Sequence, residues 1–234
     1  CLVGSEMCIR DSYYLILVVP TLIFAIFTQI WLKNTYKKYS GLRNSRGLTG
    51  ADAAMNVLRH YQIYDVKIEH ISGRMTDHYD PRSKVIRLSD GVYNGTSIAA
   101  VGIACHEAGH AAQHANGYVP IKIRNAIIPI CNIGSMAGIP LAIIGLFLSS
   151  ELLINVGLLL YSFVAIFQLA TLPVEFNASA RAISVIKDSG MLMADEVPGA
   201  RKMLTAAAMT YVAALATSLA NLLRLLLIFG RRND

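Results

Sequence analysis

Three stretches of this chain, residues 13–32, 127–148 and 152–172, each run for about 20 residues without a charged side chain, enough for a helix to cross a hydrocarbon core of about 30 Å. Burying that much uncharged length in a soluble domain would leave little polar surface. The whole 234-residue chain is 54% hydrophobic and only 15% charged, well outside the usual balance for soluble domains. A fourth stretch, residues 206–229, is long enough to span. It carries Arg224 near one end, where a long stem lets the charge snorkel to the interface. Pro129, Pro140 and several glycines lie in the second stretch and would break a soluble helix. Membrane helices tolerate them, so they predict kinks or close helix packing there. The expected fold is mainly α, a multi-pass membrane protein with a small α+β part outside the bilayer.

Lys and Arg set the orientation. Residues 33–126 hold 13 of the 21 basic residues, beginning with Lys33, Lys37, Lys38, Arg43 and Arg46 directly after the first span. Residues 173–205 fall on the same side and add Arg181, Lys187, Arg201 and Lys202. That side is expected to be cytoplasmic. Arg231 and Arg232 run against this, because a fourth crossing puts them outside. The formal charge of +6 reads as topology and contact with anionic lipid, and nothing beyond charge points to nucleic acid. Cys1, Cys8, Cys105 and Cys131 lack metal-ligand spacing, and a disulfide framework is not expected on a cytoplasmic face. Residues 1–12 are mixed and polar and read as a non-native or disordered stretch outside the fold. The first span is longer than a signal peptide's apolar region and is expected to stay as an anchor. The expected organisation is then 13–32 as the first span, 33–126 as a cytoplasmic catalytic segment, 127–148 and 152–172 as the second and third spans, 173–205 as a second cytoplasmic segment, and 206–229 as the fourth span.

Within the first cytoplasmic segment, Thr49 and Asp52 form a capping-box-like start for a helix through about residue 59, with Ala53, Ala54, Val57 and Leu58 as its apolar face. Val66, Ile68 and His70 alternate with Lys67 and Glu69, and Val85-Ile86-Arg87-Leu88 is a second β-rich run. Gly73 and Asp80-Pro81 supply turn signals between them, so a small hairpin or edge strand is predicted. Thr96 or Ser97 caps a helix over residues 98–114, and Asn116-Gly117 stops it.

His106-Glu107-Ala108-Gly109-His110 lies in the middle of that helix. At 3.6 residues per turn, positions 106 and 110 fall on one face, so both imidazoles can reach one metal ion. Glu107 stands beside them, where a carboxylate can take a proton from a water whose pKa zinc lowers to about 7. This is the H-E-x-x-H arrangement of zinc hydrolases. A catalytic zinc takes three protein ligands, which leaves one to find. His114 is about 12 Å from His106 along the axis, too far to share an ion. A third histidine at the metzincin spacing would fall at Asn116, which excludes that class. Among the six Glu, Glu175 stands in the most suggestive place, directly after the third span and on the motif's side, where Pro173 can begin a new helix. Glu196 and Asp195, in a polar stretch before Pro198, compete with it. A hairpin beside the metal helix would also offer a sheet edge to a bound peptide.

The run Ala108 to His114 after residues 98–105, Thr76-Asp77-His78-Tyr79-Asp80-Pro81, residues 172–182 and Gly199-Ala200-Arg201-Lys202 together resemble the bacterial neutral zinc metallopeptidases of the YugP-like membrane family, over about residues 13–230. The resemblance implies that His106 and His110 bind Zn2+, that Glu107 is the base and that Glu175 is the third ligand. Residues 175–179 are also similar to the E-x-x-A-D segment of HtpX-like membrane proteases. Ser179 here replaces the acid, and Asn177 could orient a ligand histidine instead. His78, Tyr79 and Asp80 belong to the family pattern; His78 could donate to a tetrahedral oxyanion or simply pack.

The function expected from this is a membrane-bound zinc endopeptidase cleaving membrane-associated or misfolded polypeptides at the cytoplasmic face of a bacterial plasma membrane. A site-2-type intramembrane protease is the alternative within enzymes. Its metal motif would lie inside a span, whereas only eight apolar residues precede His106, and Gln113, His114 and Asn116 follow it. A non-catalytic zinc-binding scaffold or chaperone is the alternative outside enzymes, and Glu107 weighs against it, since a structural site needs no base.

Overall fold

A computed structural model describes residues 14–230, so the expected non-native stretch 1–12 lies outside the described residues. A π-helical turn, Tyr14–Val18, leads into α1 (Val19–Ser40). There follow α2 (Gly50–His60), β1 (Lys67–Ile71), β2 (His78–Asp80), β3 (Val85–Ser89), the single turn α3 (Asp90–Tyr93), α4 (Ile98–Ala115), α5 (Val119–Phe147), α6 (Glu151–Asp188) and α7 (Val197–Gly230). Among the described residues four helices are long and apolar enough to cross a membrane: the first, through Ser40, and α5, α6 and α7. The described residues divide into two compact units, one of residues 14–29, 123–172 and 210–230, the other of residues 30–122 and 173–209.

In the first unit, α5 and α6 pack through small residues. A Cβ on Gly134 would stand 2.2 Å from the Leu160 carbonyl oxygen, and one on Gly145 would stand 2.7 Å from the Ile154 nitrogen. The backbones therefore touch where the sequence predicted close packing, and Pro129 and Pro140 sit inside one continuous α5. Pro173 likewise lies inside α6 and does not begin a new helix, contrary to the sequence expectation. A proline removes one hydrogen bond and crowds the preceding turn, and a long helix packed along its length absorbs both.

The second unit has its own core, in which α2, α4 and β3 pack with residues 182–204. Helix α2 begins as its sequence dictates: Thr49 Oγ1 accepts the Asp52 amide at 3.1 Å, and Ala53, Ala54, Val57 and Leu58 are buried. Ser97 caps α4 by accepting from the Ala100 amide at 3.1 Å, and Gly117, at φ 64°, follows the stop at Asn116. Of the expected hairpin or edge strand, residues 67–71 form an edge strand, and the hairpin of that run with 85–88 is corrected. Those two runs pair in parallel, Lys67 opposite Val85 through Ile71 opposite Ser89. The hairpin is instead β2 with β3, antiparallel, His78 opposite Arg87 and Asp80 opposite Val85, giving the order β1-β3-β2. A three-residue strand is too short to show a period of two, and Asp80, read as part of a turn, ends β2 while its carboxylate accepts from the Arg82 amide at 2.9 Å and Ser83 Oγ at 2.6 Å. Strand β3 is buried at the centre, and β1 and β2 are edges.

Candidate metal centre

His106 and His110 stack one turn apart on α4, their rings edge to face with centroids 4.7 Å apart. Glu175 comes from α6, 65 residues after His110. Its carboxylate oxygen Oε2 lies 3.2 Å from His106 Nε2 and 3.7 Å from His110 Nε2. Four donors on a tetrahedron with bonds of about 2.1 Å stand about 3.4 Å apart, so the 3.2 and 3.7 Å separations bracket what one zinc ion requires. All three residues present a ligand atom within 4.8 Å of the others. The residues therefore fit a zinc ion.

Burial sharpens the argument. Glu175 is 3% exposed and His110 9%. A carboxylate so far from water needs positive charge beside it. Burial alone would lower the His110 pKa, but hydrogen bonding to Glu175 and the charges of Glu107 and Glu175 outweigh it and raise the pKa above the ordinary histidine value. Glu107 is half-buried on the same helix, and its charge reaches the site in this way.

The far sides of both rings are also held. Gln113 is fully buried, and its amide nitrogen donates to the Val174 carbonyl at 2.7 Å and to Asn177 Oδ1 at 3.1 Å. A carbonyl can only accept, which fixes the amide so that Gln113 Oε1 faces His110 Nδ1 at 3.1 Å. Nδ1–H therefore donates to Gln113 Oε1, which leaves Nε2 as the ring nitrogen that would bind a metal ion. Asn177 Oδ1 also accepts from Arg181 Nε at 2.8 Å, and the Arg181 guanidinium lies over the rings of Tyr61 and Tyr118 at 5.6 and 6.0 Å. Asn177 therefore acts on His110 one step removed, through Gln113. Ser179 Oγ stands 3.1 Å from His106 Nδ1, so the hydroxyl that replaces the acid of the HtpX-like pattern meets the other ligand ring.

Two small residues bring the elements together. A Cβ on Gly109 would lie 2.8 Å from the Ala178 carbonyl oxygen, closer than any real Cβ contact, so glycine there lets α6 approach α4. Ala178 itself is fully buried. Of the other sequence candidates, Glu196 is committed elsewhere. Its carboxylate accepts from the Ser45 amide and hydroxyl, both at 2.7 Å, and from the Met193 amide at 2.8 Å, while Asp195 is exposed. Cys105, fully buried beside His106, has its thiol pKa pushed up by burial, as suits a packing residue. His114 is exposed, and its Nδ1 meets Tyr79 Oη at 3.3 Å, which ties β2 to the end of α4. His78 is exposed, with Nδ1 2.8 Å from the Thr76 carbonyl. Helix α4, which carries the motif, is not one of the four described helices long and apolar enough to cross a membrane.

Residues 14–230 match the family described as "Putative neutral zinc metallopeptidase". Over 221 residues the chain is 43% identical to "Putative membrane protease YugP" of Bacillus subtilis (strain 168), covering 94% of this chain and 98% of that protein. No solved structure matches. The chain belongs to this family of membrane zinc metallopeptidases.

Proposed function

We propose that this member of the family is a zinc endopeptidase in which His106, His110 and Glu175 hold the metal and Glu107 is the general base, acting at the cytoplasmic face of a bacterial plasma membrane on membrane-associated or misfolded polypeptides. The convergence of two imidazole Nε2 atoms on one buried carboxylate oxygen carries this reading. A zinc ion held there supplies Lewis-acid polarisation of the scissile carbonyl. Glu107, the neighbour of His106 in the chain, takes the proton of the attacking water and hands it to the leaving amine. Gln113 and Ser179 keep the two rings from turning, so the donors are aligned before substrate arrives. Strand β2 is an edge lying next to α4 and offers its free side to an extended peptide as an added strand. The cytoplasmic orientation is supported by Lys and Arg, 17 of 21 of which fall in residues 33–126 and 173–205.

Glu107→Gln tests the assignment. The substitution keeps size and polarity but removes the proton acceptor, so zinc content and melting temperature stay near wild type. Turnover of an unfolded substrate in detergent falls by about 10² to 10⁴-fold. Full metal content with activity within about threefold of wild type, far short of that range, refutes Glu107 as the base and favours a zinc scaffold.

A further inference from the structure

Within the second unit, the stretch of α6 after Glu175 and the first turns of α7 enclose a groove of about 450 Å³. Phe176, Ser179 and Ile183 line one side and Leu204 the other, and Lys187 and Arg201 close its far end. Among the described residues that line it there is no carboxylate, and neither cation enters an ion pair with a described residue. Lys187 and Arg201 also line an adjoining depression of about 630 Å³. The near end adjoins the metal site directly, since Phe176 follows Glu175 and Ser179 contacts His106.

We propose that this groove is an exosite for an extended stretch of polypeptide substrate, apolar along most of its length and ending on an acidic side chain or terminal carboxylate held by Lys187 and Arg201. The inference rests on the peptidase reading of the site. An uncharged floor with paired cations at one end complements such a segment: desolvation favours the apolar part, and the charges fix its register. Twelve residues separate Glu175 from Lys187, about 18 Å along the helix, and an extended chain covers about 3.3 Å per residue. The acidic group therefore belongs about five or six residues from the scissile bond. An anionic lipid fits less well. The groove's near end meets the metal ligands through Phe176 and Ser179, where a substrate chain passes and a lipid has no part.

The test uses the full-length, zinc-loaded protein in detergent and neutral apolar peptides carrying one Asp, moved residue by residue on either side of a fixed cleavage bond. Cleavage is read as kcat/KM, and binding to the Glu107→Gln protein by fluorescence anisotropy. The expected result is an optimum five or six residues from the bond on one side, about twofold to thirtyfold above the neutral peptide, the range for two exposed charge pairs. In Lys187→Glu/Arg201→Glu the preference passes to peptides with Lys at that position, read as the Lys-to-Asp ratio within one protein. Lys202→Glu, exposed outside the groove, keeps the Asp preference. Indifference to the position of Asp, or an Asp preference that survives the double reversal, overturns the exosite. So does displacement of the peptide by phosphatidylglycerol micelles, but not phosphatidylcholine micelles, in a manner the double reversal abolishes; that assigns the groove to anionic lipid. Charge-dependent binding without any cleavage refutes the hydrolase reading and leaves the exosite standing.

Discussion

Gln113→Leu removes a fully buried amide that joins α4 to α6 while nearly preserving volume. Three contacts go: the acceptor for His110 Nδ1 and the two donations to α6. Their consequences differ. Asn177 Oδ1 keeps Arg181 Nε at 2.8 Å, and the Val174 carbonyl lies within the continuous helix α6. The His110 Nδ1 proton alone is left buried without a partner, which costs about 1 to 3 kcal/mol. A ring freed to turn no longer presents Nε2 to Glu175, and loss of such a supporting contact typically weakens a metal site about 10 to 100-fold. Gln113→Glu separates the two roles. It still accepts from His110 but turns an acceptor toward the Val174 carbonyl and Asn177 Oδ1, so it disturbs the docking of α6 and spares the tautomer. In competition with a chromophoric chelator, Gln113→Leu is expected to bind zinc about 10 to 100-fold more weakly than wild type. In the cobalt-substituted protein, the visible d–d bands are expected to change more for Leu than for Glu. Zinc affinity within twofold of wild type for Gln113→Leu would refute the positioning role.

Gly109→Ala puts a Cβ 2.8 Å from a backbone carbonyl on α6, so it is expected to lower both melting temperature and zinc affinity, whereas Gly102→Ala, with 3.4 Å to the Ala200 side chain, is expected to be milder; calorimetry with zinc titration compares them. Cysteines placed at Arg46 and Asp188, both exposed, in a background free of other cysteines, are expected to react with an impermeant maleimide only from the cytoplasmic side, and labelling from opposite faces refutes the topology. The Asp80 pKa is lowered to about 2, chiefly by hydrogen bonds from Ser83 and the Arg82 amide. A folded-state pKa below the unfolded value gives stability that is present above about 3.9 and is lost as pH falls through about 2. Wild type and Asp80→Asn are therefore expected to differ in amide exchange at residues 84–87 at pH 5 and to converge near pH 2.

The spans were legible because bilayer physics writes them plainly, as long runs without charge. Their helices were not legible at full length. Hydropathy marks only the apolar part, while α5 starts at Val119, α6 runs to Asp188 and α7 starts at Val197, carried on by polar residues that pack in the second unit. The histidine pair followed from helical periodicity, and Glu175 from its place after a span together with the family resemblance. Gln113 was missed, although its signal was available: it lies three residues after His110, on the same helical face, and read only as a polar flank. The parallel pairing of β1 with β3 had no local signal, because the direction in which two strands pair depends on the connection between them rather than on either strand alone.

The order in which the ligands are made sets when the donor set is complete. His110 completes the histidine pair 65 residues before Glu175 is made, and the intervening chain holds all of α5 and the uncharged run of α6. At about 5 to 20 residues per second, the pair waits roughly 3 to 13 seconds for its carboxylate. Until then it is an incomplete donor set on a nascent chain. The three-residue donor set is thus complete only after the uncharged runs of α5 and α6 have been synthesised.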